Sequence, residues 1–495
     1  MSRIIAALQR HAASASLKVA LQDENSTLTY GELLDEVESL AEQLQACRPR
    51  AIAILADNGK AWALADLAAH AAGIPTVPLP LFFSVSQIVH VLTTAGIDLV
   101  LTDQPDRLRF ALKQPDLPAE PFYGELQCVR LPAVAASAPS LPAATQKVTF
   151  TSGTTGEPKG VCLGRETMET VADSLGVASA ASRDDRHLCL LPLATLLENI
   201  GGIYAPLLAG ATVCLPRLAT VGLSGSSGLD VGRLIATLID WRASTAIMVP
   251  QMLQAMVKAG QAGATLPRTL RYLAVGGAPV SSQLFADAQA LGLPVHEGYG
   301  LSECASVVAV SRPGEIRGGS VGKPLPHIRI DFADDGEILI RGTRWQGYLG
   351  EGASAQALDC IATGDLGYLD ADGFLFLTGR KKNMFITSFG RNVAPEWVEG
   401  ELASHPGIAQ AAIFGEARPF NCAVIVPYPG TSDGAIEAAL DKANRRLPDY
   451  AQVRAWITAT EPFTPHNGMS TPNGRLRRTA ILGKYAAQVE SLYQR

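Results

Sequence analysis

"TFTSGTTGEPKG", Thr149 to Gly160, gathers four threonines, one serine and three glycines around a single lysine. The apolar approach "KVTF" (Lys147 to Phe150) reads as the end of a strand, and the run that follows is too glycine-rich to continue it. Gly153, Gly156 and Gly160 permit backbone geometries that a β-carbon obstructs, so main-chain N–H groups can turn inward. Thr151, Ser152, Thr154 and Thr155 add hydroxyl groups, and Lys159 adds a mobile positive charge. Such a loop suits a polyphosphate. A plain polar surface loop is the alternative. The P-loop of kinases and GTPases is excluded, because Lys159 follows Pro158 and is followed by Gly160 rather than by Ser or Thr.

A chain of 495 residues is too long for one compact core, so two or more domains are expected. A 47% apolar and 18% charged composition is that of a soluble globular protein. The net charge of −6, without a basic tail or long Lys/Arg run, argues against nucleic acid as a partner. Eight cysteines stand singly at 47, 128, 162, 189, 214, 304, 360 and 422, a pattern of reduced thiols in a cytoplasmic protein rather than of disulfides or a zinc site. "LCLLPLATLLENIGGIYAPLLAGATVCLP" (Leu188 to Pro216) holds only one charge, Glu198, but Gly and Pro interrupt it, so it reads as buried strand, loop and helix and not as a membrane span.

The periodicity alternates in the manner of an α/β fold. "AIAILAD" (Ala51 to Asp57), "TVPL" and "DLVLTD" read as strands, with helices over Lys60 to Ala72 and Ser84 to Ala95. Asp116 to Pro142, rich in Pro and Ala, reads as a connector between subdomains, and "LSGSSGLD" (Leu223 to Asp230) as a loop. "STAIMVP" (Ser244 to Pro250) and "LRYLAVGG" (Leu270 to Gly277) read as strands of a second α/β series. From about Gly322 short strands take over, with hairpins around Asp335-Gly336 and Asp372-Gly373, and after Arg380 comes a small α+β module.

Further stretches follow in order. "LRYLAVGGAPV" contains Gly276, Gly277, Ala278 and Pro279, a small-residue turn that a flat base can approach closely; taken alone it is also an ordinary strand-to-helix turn. "HEGYGLSE" holds Tyr299, Gly300, Ser302 and Glu303; "TGDLGYLDADG" holds Asp365; "LTGRKKNMFI" holds Arg380 and Lys382. Together with Thr149 to Gly160 these stretches resemble the motifs of the adenylate-forming superfamily of acyl-CoA synthetases, luciferases and peptide-synthetase adenylation domains, over about Thr29 to Arg478. The resemblance implies ATP as substrate, held at its β- and γ-phosphates by Thr151 to Gly156 and Lys159. It further implies that Tyr299 stacks on adenine, that Ser302, in place of the usual Thr, meets the α-phosphate, and that Glu303 helps to hold Mg²⁺. Asp365 would take both ribose hydroxyls, Arg380 would reach ribose or phosphate, and Lys382 would be the hinge. The implied architecture is an α/β N-terminal AMP-binding domain over 1–380, made of two α/β subdomains and a small β-rich one, joined by that hinge to a mobile α+β domain over 381–495.

Two positions depart from the family pattern. Arg475, in "NGMSTPNGRLRR", stands where a lysine is usual, so the positive charge survives in a bulkier, planar form. In "ITSFGRNVAP", Phe389 replaces the first of two glycines near the path of the thiol, and Gly390 remains; the ring either narrows that path or packs without functional effect. "LPLATLLENIGG" resembles the long-chain acyl-CoA synthetase branch, with Thr195 at the usual histidine position and Glu198 matching the acid. The implied reaction is ATP-dependent activation of a medium- or long-chain fatty acid to an acyl-adenylate, then transfer to CoA. Aryl acids as substrates, the phosphopantetheine of an acyl-carrier protein as acceptor, and a catalytically weak nucleotide-binding relative stay open as alternatives.

Overall fold

The computed structural model describes residues 2–131, 141–151, 159–225, 228–350, 360–405, 407–471 and 474–494. Two large sheets carry the N-terminal part. The first runs in the order 323–324, 309–310, 295–299, 272–275, 245–248, 186–188, 212–214, 19–22 and 27–29, and the second in the order 345–348, 159–164, 145–151, 76–78, 52–55, 99–102, 126–130 and 120–123. Their central strands are parallel and are buried on both faces, which matches their unbroken apolar sequences. A four-stranded sheet follows, in the order 329–332, 337–341, 361–369 and 375–380. Its two hairpins turn as expected, with Gly336 and Gly373 at φ 82° and 80°.

The helix Lys60–Ala72 occupies the residues predicted for it and lies between layers, so even Asp66 and His70 are fully buried. Burial of such groups requires partners. Asp66 receives hydrogen bonds from Lys147 Nζ at 2.6 Å, Tyr204 Oη at 2.6 Å and Asn199 Nδ2 at 2.9 Å. His70 Nε2 lies 2.8 Å from Glu169 Oε1, which also accepts from the Ser2 hydroxyl at 2.5 Å. These residues come from different elements around the two large sheets, and one apolar cluster likewise draws on both: Ile52 and Leu99, Val213 and Tyr299, and also Ile338 and Ile361 of the smaller sheet. The two α/β subdomains therefore share one interior.

From Phe385 onward a three-stranded sheet (408–414, 421–427, 453–458) packs with the helices Pro395–Ala403, Asp433–Asn444 and Arg478–Leu492. Two apolar clusters there are built only from residues between Phe385 and Tyr493.

Two readings of the sequence need correction. The stretch 116–142 is not merely a connector: Glu120–Tyr123 and Leu126–Arg130 form an antiparallel hairpin on the edge of the eight-stranded sheet, turning at Gly124 (φ 54°) and burying Leu126 and Val129. The 223–230 loop contains a short hairpin, Leu223–Ser224 with Gly228–Leu229. Leu188 to Pro216 folds as strands, short helical turns and a π-helical turn, Asn199–Tyr204. No helix among the described residues is long and apolar enough to cross a membrane.

Candidate active site

The strand Tyr272–Val275 runs into the turn Gly276–Pro279, where Gly277 takes φ 85°. A β-carbon on Gly276 would come within 3.3 Å of the Gly298 carbonyl, so the turn lies close against the adjacent strand Val295–Tyr299. Gly277 and Pro279 are exposed and Ala278 is half-buried, leaving the turn open on its outer side. Gly300 has no substitute: a β-carbon there would fall 1.6 Å from the Ser306 carbonyl oxygen. Just beyond the short 3₁₀ turn Ser302–Cys304, Ala305 and Ser306 take φ 52° and 93°, a strained backbone held by the packing around it.

Tyr299 is 8% exposed, and its hydroxyl donates to Asp365 Oδ2 at 2.7 Å. Asp365 Oδ1 accepts from Arg380 Nε at 2.6 Å, a cross-strand pair fixed by the register of 361–369 on 375–380. Three predicted nucleotide-binding residues thus form one line. Arg475 joins them from the C-terminal part. Desolvation, then the proximity of Arg380, lowers its pKa below the usual arginine value, although the residue as a whole is exposed. The neighbouring Gly474 is pressed against the other domain, where a β-carbon would stand 2.6 Å from Gln251 Nε2.

Lys159 opens the strand Lys159–Gly164, paired antiparallel with Thr145–Thr151 so that Thr151 and Lys159 face each other. The glycine-rich run joins these two paired strands in sequence; Ser152, Gly153, Thr154, Thr155 and Gly156 lie outside the described residues. Gly160 is required by crowding, since a β-carbon would lie 2.9 Å from Val148 Cγ1 and 3.1 Å from Leu349 Cβ. The crowding comes from the strand Thr145–Thr151 on one side and from Leu349 on the other, just after the strand Trp345–Tyr348, which docks on Lys159–Gly164 and places the Tyr348 ring 5.4 Å from the Lys159 ammonium. The Tyr348 hydroxyl donates to Glu303 Oε1 at 2.7 Å. Lys159 and Glu303 are thus connected through a tyrosine that the motif reading missed. Its signal was the aromatic pair Trp345 and Tyr348, whose rings meet edge-on at 4.7 Å.

Glu297 was also missed. It is 6% exposed, its carboxylate accepts from the Val280 N–H at 3.3 Å beside the Gly276–Pro279 turn, and burial pushes its pKa up to about 8.

Of the acyl- and thiol-path candidates, Glu198 is fully buried, accepting from the Leu191 N–H at 3.2 Å with His187 Nε2 at 3.3 Å. Thr195 is half-buried, and its hydroxyl donates to the Pro192 carbonyl at 2.7 Å. Phe389 is 75% exposed at the tip of a turn in which Gly390 takes φ 72°, so it is not a packed aromatic in this arrangement. Lys382 is exposed, next to Lys381, whose ammonium is held by Asp335 at 2.5 Å and Glu337 at 3.0 Å.

This arrangement, a carboxylate between a buried tyrosine and an arginine, and a lysine-bearing strand tied to Glu303 through Tyr348, coincides with a family match. Residues 8–349 match the AMP-binding enzyme family and residues 382–495 its C-terminal domain. The chain belongs to the AMP-binding enzyme family. A long-chain-fatty-acid–CoA ligase, FadD15 of Mycobacterium bovis, is 31% identical over 415 residues, covering 70% of this chain and 69% of that protein. The 2-succinylbenzoate–CoA ligase of Bacillus subtilis is 29% identical over 419 residues, covering 80% and 82%. Among solved structures, the anthranilate CoA ligase AuaEII in complex with anthranoyl-AMP superposes with a TM-score of 0.81 at 20% identity, covering 98% of both chains, a likeness of fold. The AMP-binding enzyme is an adenylate-forming ligase of the acid–thiol class.

Proposed function

We propose that the chain activates a medium- or long-chain aliphatic acid with ATP and passes the acyl group to CoA. The observation that carries this reading is the line Tyr299–Asp365–Arg380 with Arg475 brought beside it from the second domain. In the first step a carboxylate oxygen bonds to the α-phosphorus of ATP and the α–β bridging oxygen leaves with pyrophosphate. In the second a thiolate sulfur attacks the acyl carbon and AMP leaves. Both reactants of the first step are anions, so the site must supply positive charge and alignment. Lys159 would sit on the β- and γ-phosphates, with the hydroxyl and glycine-rich loop around them. Arg475 would bridge the substrate carboxylate and the α-phosphate, and Ser302 would donate to that phosphate. Asp365 would accept from the ribose hydroxyls with Arg380 in support, while Tyr299 would lie under adenine against the Gly277–Pro279 turn. A neutral Glu297 at the foot of that turn can both donate and accept. Glu303 fits Mg²⁺: one carboxylate oxygen is already oriented by Tyr348 and both are hard donors. When bound, the ion would neutralise phosphate charge.

The aliphatic assignment is supported by the FadD15 relative and by the "LPLATLLENIGG" stretch. The succinylbenzoate ligase is the reason to include aryl acids in the test. Rotation of the domain after Lys382 would bring the exposed Phe389 turn toward the site for thiol transfer. The experiment is pyrophosphate release with Mg·ATP and a panel of short to long fatty acids and aryl acids, with and without CoA. Release confined to aliphatic acids, with acyl-CoA formed, is expected. Release only with aryl acids overturns the substrate class, and release without acyl-CoA overturns the acceptor.

A further inference from the structure

Away from the nucleotide residues, a cavity of about 710 Å³ lies between the two domains. Its N-terminal wall comes from the helices Pro250–Gln261 and Ser282–Ala290, and its other wall from the C-terminal part, at Ser404, His405, Gly407 and Tyr428 and at the basic residues of 442–446. Four of its lining side chains are cationic, Lys258, Lys442, Arg445 and Arg446, against one acid, Asp287. That concentration opposes the net charge of −6 of the whole chain. Arg446 is already engaged, by Glu401 at 3.2 Å and by Gln283 Oε1 at 3.0 Å, and Asp287 accepts from Gln283 Nε2 at 2.7 Å. Lys258 lies 3.4 Å from the centre of the Tyr428 ring, across the domain boundary. Among the described residues no carboxylate lies within ion-pairing distance of Lys258, Lys442 or Arg445. His405, another lining residue, is 8% exposed, with its Nε2 buried and without a hydrogen-bond partner, and desolvation lowers its pKa, which favours the neutral ring.

We infer that this cleft binds a small polyphosphate-bearing anion and that the anion holds the two domains in the arrangement seen here. The volume suits a ligand of nucleotide size or less. Two ammonium groups and a guanidinium, contributed by both domains, match a ligand with at least two phosphate groups, and the guanidinium suits a forked contact with phosphate oxygens. Because Lys258 belongs to one wall and Lys442, Arg445 and His405 to the other, the site is complete only when the walls meet. Binding and domain closure are therefore linked, and each favours the other by the same factor.

The test uses the full chain with inorganic tripolyphosphate as the probe. Binding is followed by calorimetry, and its location by mass-spectrometric mapping of lysine acetylation. The expected result is protection of Lys258 and Lys442 together, separate from any protection of Lys159, and a binding event weakened at least tenfold in Lys442→Glu/Arg445→Glu. The milder Lys442→Gln/Arg445→Gln, with its melting temperature checked, guards against misfolding of the charge reversal. Pyrophosphate release without the probe should stay within twofold of the parent. Repeating the mapping with ADP separates sources: stronger protection than with tripolyphosphate identifies a nucleotide, and equal protection a bare polyphosphate. Unprotected Lys258 and Lys442, or binding unaltered in both double variants, overturns the inference.

Discussion

Replacing Asp365 with asparagine separates a ligand-binding role from a bracing one. The carboxylate accepts from Tyr299 Oη at 2.7 Å and from Arg380 Nε at 2.6 Å, with side-chain exposures of 11% for Asp365 and 37% for Arg380. The substitution keeps the shape and removes the charge. Two charge-assisted bonds weaken, but the half-exposed guanidinium recovers water, so a stability loss of only about 1–2 kcal/mol is expected. In a domain of this size that is a fall of roughly 1–3 °C in Tm. Binding should respond more strongly. If the two oxygens accept from ribose hydroxyls, the neutral amide gives up about 1.5–3 kcal/mol of charge-assisted bonding, a roughly 10- to 100-fold weaker AMP Kd. Calorimetric titration with AMP, alongside thermal unfolding, reads both. Tyr299→Phe serves as the control: it removes one of the same bonds but leaves the carboxylate charged, so AMP should weaken only a few-fold. If Asp365→Asn lowers Tm while AMP affinity stays within threefold of the parent, the carboxylate only braces Tyr299 and Arg380 and the ribose assignment fails.

Arg475→Lys restores a compact ammonium and should raise the rate of acyl-adenylate formation several-fold, corresponding to about 1 kcal/mol of transition-state stabilisation; an unchanged single-turnover rate would show that the guanidinium is an equivalent bridge. For Glu297 the folded pKa is raised, from 4.5 to about 8, so its contribution to stability is present below pH 4.5 and is lost as pH rises through about 8. Glu297→Gln should therefore overtake the parent in stability between about pH 5 and pH 9, by up to about 5 kcal/mol, and parallel Tm–pH curves would contradict the burial argument. Lys147→Met leaves Asp66 buried with donors but no counter-charge, which should cost about 3–5 kcal/mol in denaturant unfolding. Adding Asp66→Asn should recover a good part of that loss, and a simple sum of the two single effects would mean that the pair is not coupled.

What could be read from the sequence was what is local. The helix Lys60–Ala72, the turns at Gly336 and Gly373, and the order of the motif stretches each depend on a few consecutive residues. The hairpin at 120–130 was hidden because its Pro-rich surroundings read as linker, while its pairing partner, Leu99–Thr102, lies some thirty residues earlier. Tyr348 was missed for the same reason. Its role depends on Glu303, 45 residues away, and on docking beside Lys159, a relation that no window around residue 348 contains. Asp66 and Lys147 are 81 residues apart, so no local stretch of sequence reveals that the fold buries them together.

The buried polar cluster also bears on where this molecule would bend. Asp66 and Lys147 both belong to the layer of the eight-stranded sheet, and Asn199 and Tyr204 bond to them from the π-helical turn that follows strand 186–188 of the nine-stranded sheet, so parting the two α/β subdomains would strip the buried ions of those partners and open the shared apolar interior. The part after Phe385 has its own cores. Were that part to move as a body, the short connector between Arg380 and Phe385 is where it would turn; there Lys381 is anchored to Asp335 and Glu337 of the 329–341 hairpin and Lys382 faces water. Heating should accordingly give two calorimetric transitions, with proteases cutting first at that connector, whereas a single transition would mean that these few exposed residues are no fulcrum and the C-terminal part no lever.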